Sequence, residues 1–213
     1  MFLNIDNYSI LLDTGSPITV SNHSSINIFD HKFDTVDNFS GINLEGLNNH
    51  IDEDFNVLLG SDILNNYNYC IDLSDNKLEL IKDVKKDKNL INIPLYFIMN
   101  IPVIDIEIDN KRVKAFLDTG AGISYIASEF IEDYESIGRE RDFYPSYGNF
   151  FTELYKIPTK IKDEEFEIKF GALPKVLEST LLLMGVKVII GHSFFNNRSN
   201  YFYPTKNQLA FSE

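Results

Sequence analysis

Short apolar runs, broken by Asn, Asp and Gly, recur along the whole chain. Residues 3–12, LNIDNYSILL, alternate apolar and polar positions, turn at Asp6-Asn7 and re-enter an apolar run. That pattern predicts a β-hairpin, and residues 106–117, IEIDNKRVKAFL, repeat it around Asp109-Asn110. Val57-Leu58-Leu59 and Val188-Ile189-Ile190 are continuous apolar triplets, each followed by Gly and a Ser-containing segment. Each predicts a buried strand running into a helix start. Residues 70–80 and 202–211 predict two more hairpins, with turns at Ser-Asp-Asn-Lys and Pro-Thr-Lys-Asn-Gln. Residues 153–162 and 164–171 predict further strands. Phe130, Ile131, Tyr134 and Ile137 fall at helical spacing and predict a short amphipathic helix over 128–137. The most apolar stretch, 90–108, holds Pro94, Pro102, Asn92, Asn100, Asp105 and Glu107, and predicts strands rather than a membrane span of about 20 apolar residues. The fold class expected is mainly β with few short helices.

These elements come in the same order twice. Hairpin, apolar triplet with Gly, helix start and closing hairpin occupy the first part of the chain and then the second, which points to an internal duplication. Between the copies, IKDVKKDKN at 81–89 is charged and reads as a linker. The expected division is a lobe over 1–85 and a second over 86–213. Strands near both termini and around 91–99 are expected to knit the lobes together. The second copy is longer between its first hairpin and its closing triplet.

Both first hairpins end in the same triplet, Asp13-Thr14-Gly15 and Asp118-Thr119-Gly120, 105 positions apart. In a chain of this composition one such triplet is expected about 0.03 times. Two copies with matched flanks are not a chance turn. A strand ending in apolar residues delivers its last side chain to a sheet edge, where a loop can hold it. Thr supplies a hydroxyl to lock that loop, and Gly lets backbone approach closely. Two such loops packed face to face would bring Asp13 and Asp118 together. Two carboxyls in contact share one proton and split their pKa values, so one can take a proton from water while the other donates to a carbonyl oxygen.

The sequence resembles the aspartic peptidases of the pepsin and retropepsin type. The resemblance lies in Leu11-Leu12-Asp13-Thr14-Gly15-Ser16 with Leu58-Leu59-Gly60, and in Phe116-Leu117-Asp118-Thr119-Gly120-Ala121 with Ile189-Ile190-Gly191. It implies an acid-protease fold, with two similar retropepsin-like lobes related by a pseudo-twofold axis. It implies Asp13 and Asp118 as the catalytic pair, and Thr14 and Thr119 gripping each other across the axis. Gly15, Ser16, Gly120 and Ala121 complete the active loops, and the apolar-apolar-Gly segments support them from beneath. Such an enzyme takes a peptide in extended conformation under a β-hairpin flap. The flap candidates are Ser40 and Gly41 in the first half and Tyr147, Gly148 and Asn149 in the second, which has more room for one. Ser16 carries a hydroxyl that could bond ionised Asp13 and lower its pKa, whereas Ala121 cannot do so for Asp118. Asp118 is therefore expected to start as the acid.

Composition narrows the alternatives. The net charge of −13 and pI near 4.7 exclude a basic nucleic-acid face. Residues 1–6 show no signal-peptide pattern, no pro-segment is expected, and the lone Cys70 excludes an intrachain disulfide. The four His show no metal spacing, so neither metal nor cofactor is expected. The sequence reading is a cytoplasmic, monomeric aspartic endopeptidase acting on peptide or protein substrates. The alternative is a peptide-binding or assembly module of the same fold with little turnover.

Overall fold

The structure, a computed structural model, describes residues 1–51, 53–145, 147–196 and 198–212. It is mainly β, with nineteen strands and four short α-helices among the described residues. The first half builds a four-stranded sheet in the order Phe2–Ile5, Tyr8–Leu12, Val57–Leu59, Val20–Ser21. Val57–Leu59 runs parallel to Tyr8–Leu12, pairing Leu12 with Leu59, and antiparallel to Val20–Ser21. All three residues of Val57–Leu59 are buried, because both of its neighbours and the core cover it.

The second half repeats that arrangement on a larger scale. Ile101–Ile108 and Lys111–Leu117 form the hairpin, Val188–Ile190 runs parallel to the latter with Leu117 opposite Ile190, and Ser124–Ile126 lies antiparallel to it. Glu164–Ala172, Gly148–Ile161 and Gly138–Tyr144 extend the sheet to eight strands, with Tyr96–Ile98 at the other edge. Glu107 pairs with Lys160, so the sheet curls back on itself. Gly148–Ile161 buries Thr152 and Leu154 and then, after a shift of phase at Tyr155-Lys156, alternates from Ile157 onward, as a strand with one wet face does.

A third sheet of five strands takes members from both sides of residue 86, in the order Lys77–Ile81, Asn68–Asp72, Ser199–Tyr203, Gln208–Phe211, Ile91–Pro94. Its centre is the pairing of Tyr69 with Phe202, whose rings stack at 4.8 Å. The expectation that strands near both termini join the halves holds for the C-terminal strand only. Phe2–Ile5 stays in its own hairpin, because Tyr8–Leu12 satisfies its backbone. Tyr96–Ile98 likewise joins the eight-stranded sheet, and Ile91–Pro94 is an edge strand paired with Gln208–Phe211 of its own half; the pairing that crosses residue 86 is Asn68–Asp72 with Ser199–Tyr203. One apolar core runs through all of this and contains Leu12, Leu59, Leu117, Ile190 and Phe202 together.

Two helical expectations change. Residues 128–137 form only a 3-10 turn at Ser128–Phe130. Phe130, Ile131 and Tyr134 do pack on the core, but Ile137 is 51 % exposed and its amide donates to Leu154 O at 2.8 Å. A nine-residue helix not expected from sequence spans Lys175–Leu183, burying Leu177 and Leu181. The helix starts expected after the apolar triplets are present at Ser61–Leu64 and His192–Phe195, with Gly60 and Gly191 as their N-caps.

Candidate active site

Each Asp-Thr-Gly triplet follows the strand that pairs with an apolar triplet, and the pairing fixes where its Asp emerges. Asp13 N donates to Leu59 O at 3.1 Å, and Asp118 N donates to Ile190 O at 2.9 Å. The next turn of each loop is pinned from below. Ser61 N donates to Ser16 O at 2.8 Å, and His192 N donates to Ala121 O at 2.7 Å. Hydroxyls at matching positions, Thr19 and Ser124, accept from Gly60 N and Gly191 N at 3.0 and 2.9 Å.

The two threonines are fully buried and interlocked. Thr14 N donates to Thr119 Oγ1 at 3.1 Å, and Thr119 N donates to Thr14 Oγ1 at 3.0 Å. Each hydroxyl then donates across to the other strand, Thr14 to Leu117 O at 2.8 Å and Thr119 to Leu12 O at 3.3 Å. Four bonds thus tie the loops together. Thr119→Val keeps the shape but strands a buried N–H and a buried carbonyl. It is expected to cost about 1–3 kcal/mol, read as a fall in melting temperature.

The grip brings the two carboxyl groups near enough that each perturbs the other's proton affinity. Gly15 and Gly120 make this approach feasible. A Cβ at Gly15 would land on the Asp118 carboxyl, and one at Gly120 would lie 2.6 Å from Asp13 Cγ. Each carboxyl also sits in a cradle of its own loop's amides. Asp13 Oδ1 accepts from Gly15 N at 2.8 Å and Ser16 N at 3.2 Å. Asp118 Oδ1 accepts from Gly120 N and Ala121 N, both at 2.9 Å.

Burial and mutual charge couple the pair. Burial raises the Asp13 pKa, opposed by the neighbouring Asp118 carboxyl and by the Gly15 amide. Burial raises Asp118 further, and the adjacent negative charge of Asp13 adds to it. Burial and their mutual coupling raise both carboxyls, so the pair shares one proton. The Ser16 hydroxyl donates to Ile18 O at 2.8 Å rather than to Asp13. Ser16 and Ala121 serve their aspartates through backbone amides alone, so the missing hydroxyl at Ala121 does not distinguish the two carboxyls.

Of the flap candidates, Ser40 and Gly41 form a tight turn in which Phe39 and Ile42 exchange two backbone bonds of 2.9 Å, each residue of the turn having positive φ. The second-half hairpin is much longer, pairing Gly138–Tyr144 with Gly148–Ile161 over seven residue pairs. Its tip lies a little before the expected place. Tyr144 pairs with Gly148, Tyr147 N donates to Tyr144 O at 2.9 Å, and Asn149 is already in the strand opposite Phe143. Gly148, at φ +86°, closes the turn in a conformation that favours glycine. Gly41 and Gly148 line one cavity between the halves, whereas Ser40, Tyr147 and Asn149 lie outside it.

Tyr144, 40 % exposed, is not singled out by the sequence reading. Crowding around its hydroxyl, then the charges of Asp118 and Asp13, push its pKa up, which places it within reach of the pair's field. Two residues earlier, Asp142 accepts a hydrogen bond from Tyr125 OH and another from Phe143 N at 2.8 Å. The flap is thereby anchored to the strand that follows the Asp118 loop. The only sequence signal for Tyr144 was its place just before a Gly-containing turn.

No family model and no curated protein matches the chain. Among solved structures, a foamy viral protease-reverse transcriptase in complex with an RNA/DNA hybrid aligns at 20 % identity and TM-score 0.34, over 49 % of this chain and 11 % of that one. A simian foamy virus protease aligns at 21 % identity and TM-score 0.33, over 43 % of this chain and 88 % of that one. These are partial likenesses to proteases, each over less than half of this chain. No helix among the described residues is long and apolar enough to cross a membrane.

Proposed function

We propose that the protein is an aspartic endopeptidase. The supporting observation is a pair of buried, coupled carboxyls from two matched loops, both with raised pKa values. Asp13 as carboxylate takes a proton from a water held between the pair as the water's oxygen bonds to a peptide carbonyl carbon. Asp118 gives its proton to the carbonyl oxygen. The tetrahedral diol collapses as the C–N bond breaks: one of its hydroxyls returns a proton to Asp118 as the C=O bond re-forms, and the leaving nitrogen takes the proton that Asp13 received. No metal, cofactor or covalent intermediate is required. The lobes of this reading are 1–85 and 86–213, and one chain supplies both carboxyls, so a monomer suffices. The substrate is a peptide in extended conformation beneath the 138–161 hairpin. Cys70, whose thiol burial pushes up to about 11, is unreactive at neutral pH and fits a cytoplasmic setting.

Incubation with a diverse peptide mixture, analysed by mass spectrometry, tests this. New termini are expected with the wild type and none with Asp13→Asn. Cleavage that persists in the mutant would remove the peptidase assignment. Peptide binding without cleavage by the wild type would favour the binding-module alternative.

A further inference from the structure

Consecutive side chains on a strand point to opposite faces, and the flap strand Gly138–Tyr144 uses both. Asp142 is tied to Tyr125 in the second half. Phe143 instead crosses to the first half, where it packs on a cluster containing Leu11, Leu44, Leu47 and Phe55. His50 covers it, ring on ring, at 3.9 Å between centroids and 15° between planes. The imidazole is held for this by its Nδ1, 2.8 Å from Gly46 O.

Phe143 does not fill the space it enters. A cavity of about 200 Å³ remains beside it, walled by Ile42, Leu47, His50, Phe143 and Pro145. That is below the roughly 300–1,000 Å³ of pockets for drug-sized molecules; it suits one side chain. Its position relative to the carboxyls follows from neighbours in sequence. Leu11 of the cluster lies two residues before Asp13. A peptide lying across the pair would bring a side chain close to this socket.

We infer that the first-half socket under His50 is a substrate subsite for an aromatic side chain, and that Phe143 occupies it as an internal stand-in which the substrate displaces. The assignment rests on the peptidase reading for what the cleft binds. The flat imidazole selects the ligand class, since a face-to-face partner must itself be planar. It also supplies a restraint on the enzyme, because only a peptide that competes with Phe143 gains access.

The test uses binding, read by calorimetry in an Asp13→Asn background so that no probe is consumed. The probe is a blocked alanine pentapeptide with one central phenylalanine, with leucine- and alanine-centred versions beside it. Phe143→Ala is expected to bind the phenylalanine peptide about tenfold more tightly than the parent, and to shift the His50 ring signals in NMR spectra on binding. The alanine peptide gains nothing. Phe143→Leu, which keeps apolar bulk, gives a smaller gain in the same direction. His50→Ala, at an exposed position, abolishes the preference for phenylalanine over leucine. Unchanged or weaker binding of the phenylalanine peptide by both Phe143 variants would overturn the subsite, as would a preference that survives His50→Ala. If those results came with normal hydrolysis by the wild type, the peptidase would stand without this subsite. If binding behaves as expected and no peptide is cut, the socket stands and the peptidase does not.

Discussion

Asp118→Asn is expected to give a protein that folds, melts at a higher temperature than the wild type at neutral pH, and hydrolyses peptides at least about 10³-fold more slowly. On the proposed mechanism the loss of rate follows because an amide in this place cannot pass a proton to the carbonyl oxygen. The gain in stability follows from linkage. The Asp118 pKa in the fold lies well above its ordinary value, through burial and then the Asp13 charge. Below the ordinary carboxylate range both folded and unfolded chains hold this proton. As pH rises toward the folded value the unfolded chain releases its proton first, so stability falls across that window. An asparagine does not titrate, so the melting temperatures of variant and wild type should diverge as pH rises from acid toward neutral. A variant less stable than wild type at pH 7 would contradict a raised Asp118. The same pair shapes the rate profile. Activity should fall on the acid side as the pair takes up a second proton and on the alkaline side as it loses the shared one. Since both are raised, each limb should lie above the ordinary carboxylate range, and the limbs belong to the pair as a whole.

Gly15→Ala is the second large effect. The added methyl would fall on the Asp118 carboxyl, so the loops must part or the carboxyl must rotate out of its cradle. Overpacking of this sort costs about 1–3 kcal/mol, and a displacement near 1 Å at reacting groups costs about 10²-fold in rate. Activity should therefore fall by at least that factor while most of the fold persists. Gly120→Ala should act alike through Asp13, where the new Cβ would lie 2.6 Å from Cγ. Full activity in either variant would mean that the carboxyls need not lie this close. Measuring the melting temperature alongside kcat separates a shifted pair from an unfolded one.

The parts of the molecule legible in the sequence are those where local pattern and tertiary role coincide. Val57–Leu59 and Val188–Ile190 are apolar without a break because they are covered on both faces, and the Gly after each marks the cap of a short helix. The Asp-Thr-Gly loops were visible because two copies share their flanks. What stayed hidden depends on partners distant in sequence. The helical spacing at 128–137 was real, but Ile137 is claimed by the strand at Leu154. Lys175–Leu183 begins after Pro174, and its exposed Val176 and Leu183 blur the amphipathic period. Ser16 was assigned the right loop and the wrong acceptor, because the choice between Asp13 and Ile18 O is made by loop geometry. Nothing near His50 announces Phe143, which arrives from the opposite half.

The five-stranded sheet bears on how the chain reaches its native state. Its central contact, Tyr69 with Phe202, joins residues more than a hundred positions apart. While the chain is being synthesised, Asn68–Asp72 emerges from the ribosome long before its partner exists, leaving a Tyr-Cys-Ile edge open to wrong pairings. Closing so large a loop before any reward is slow. Folding should therefore proceed in a slow final step in which both carboxyl-bearing loops are locked together, and chaperone protection of that waiting edge would raise the yield.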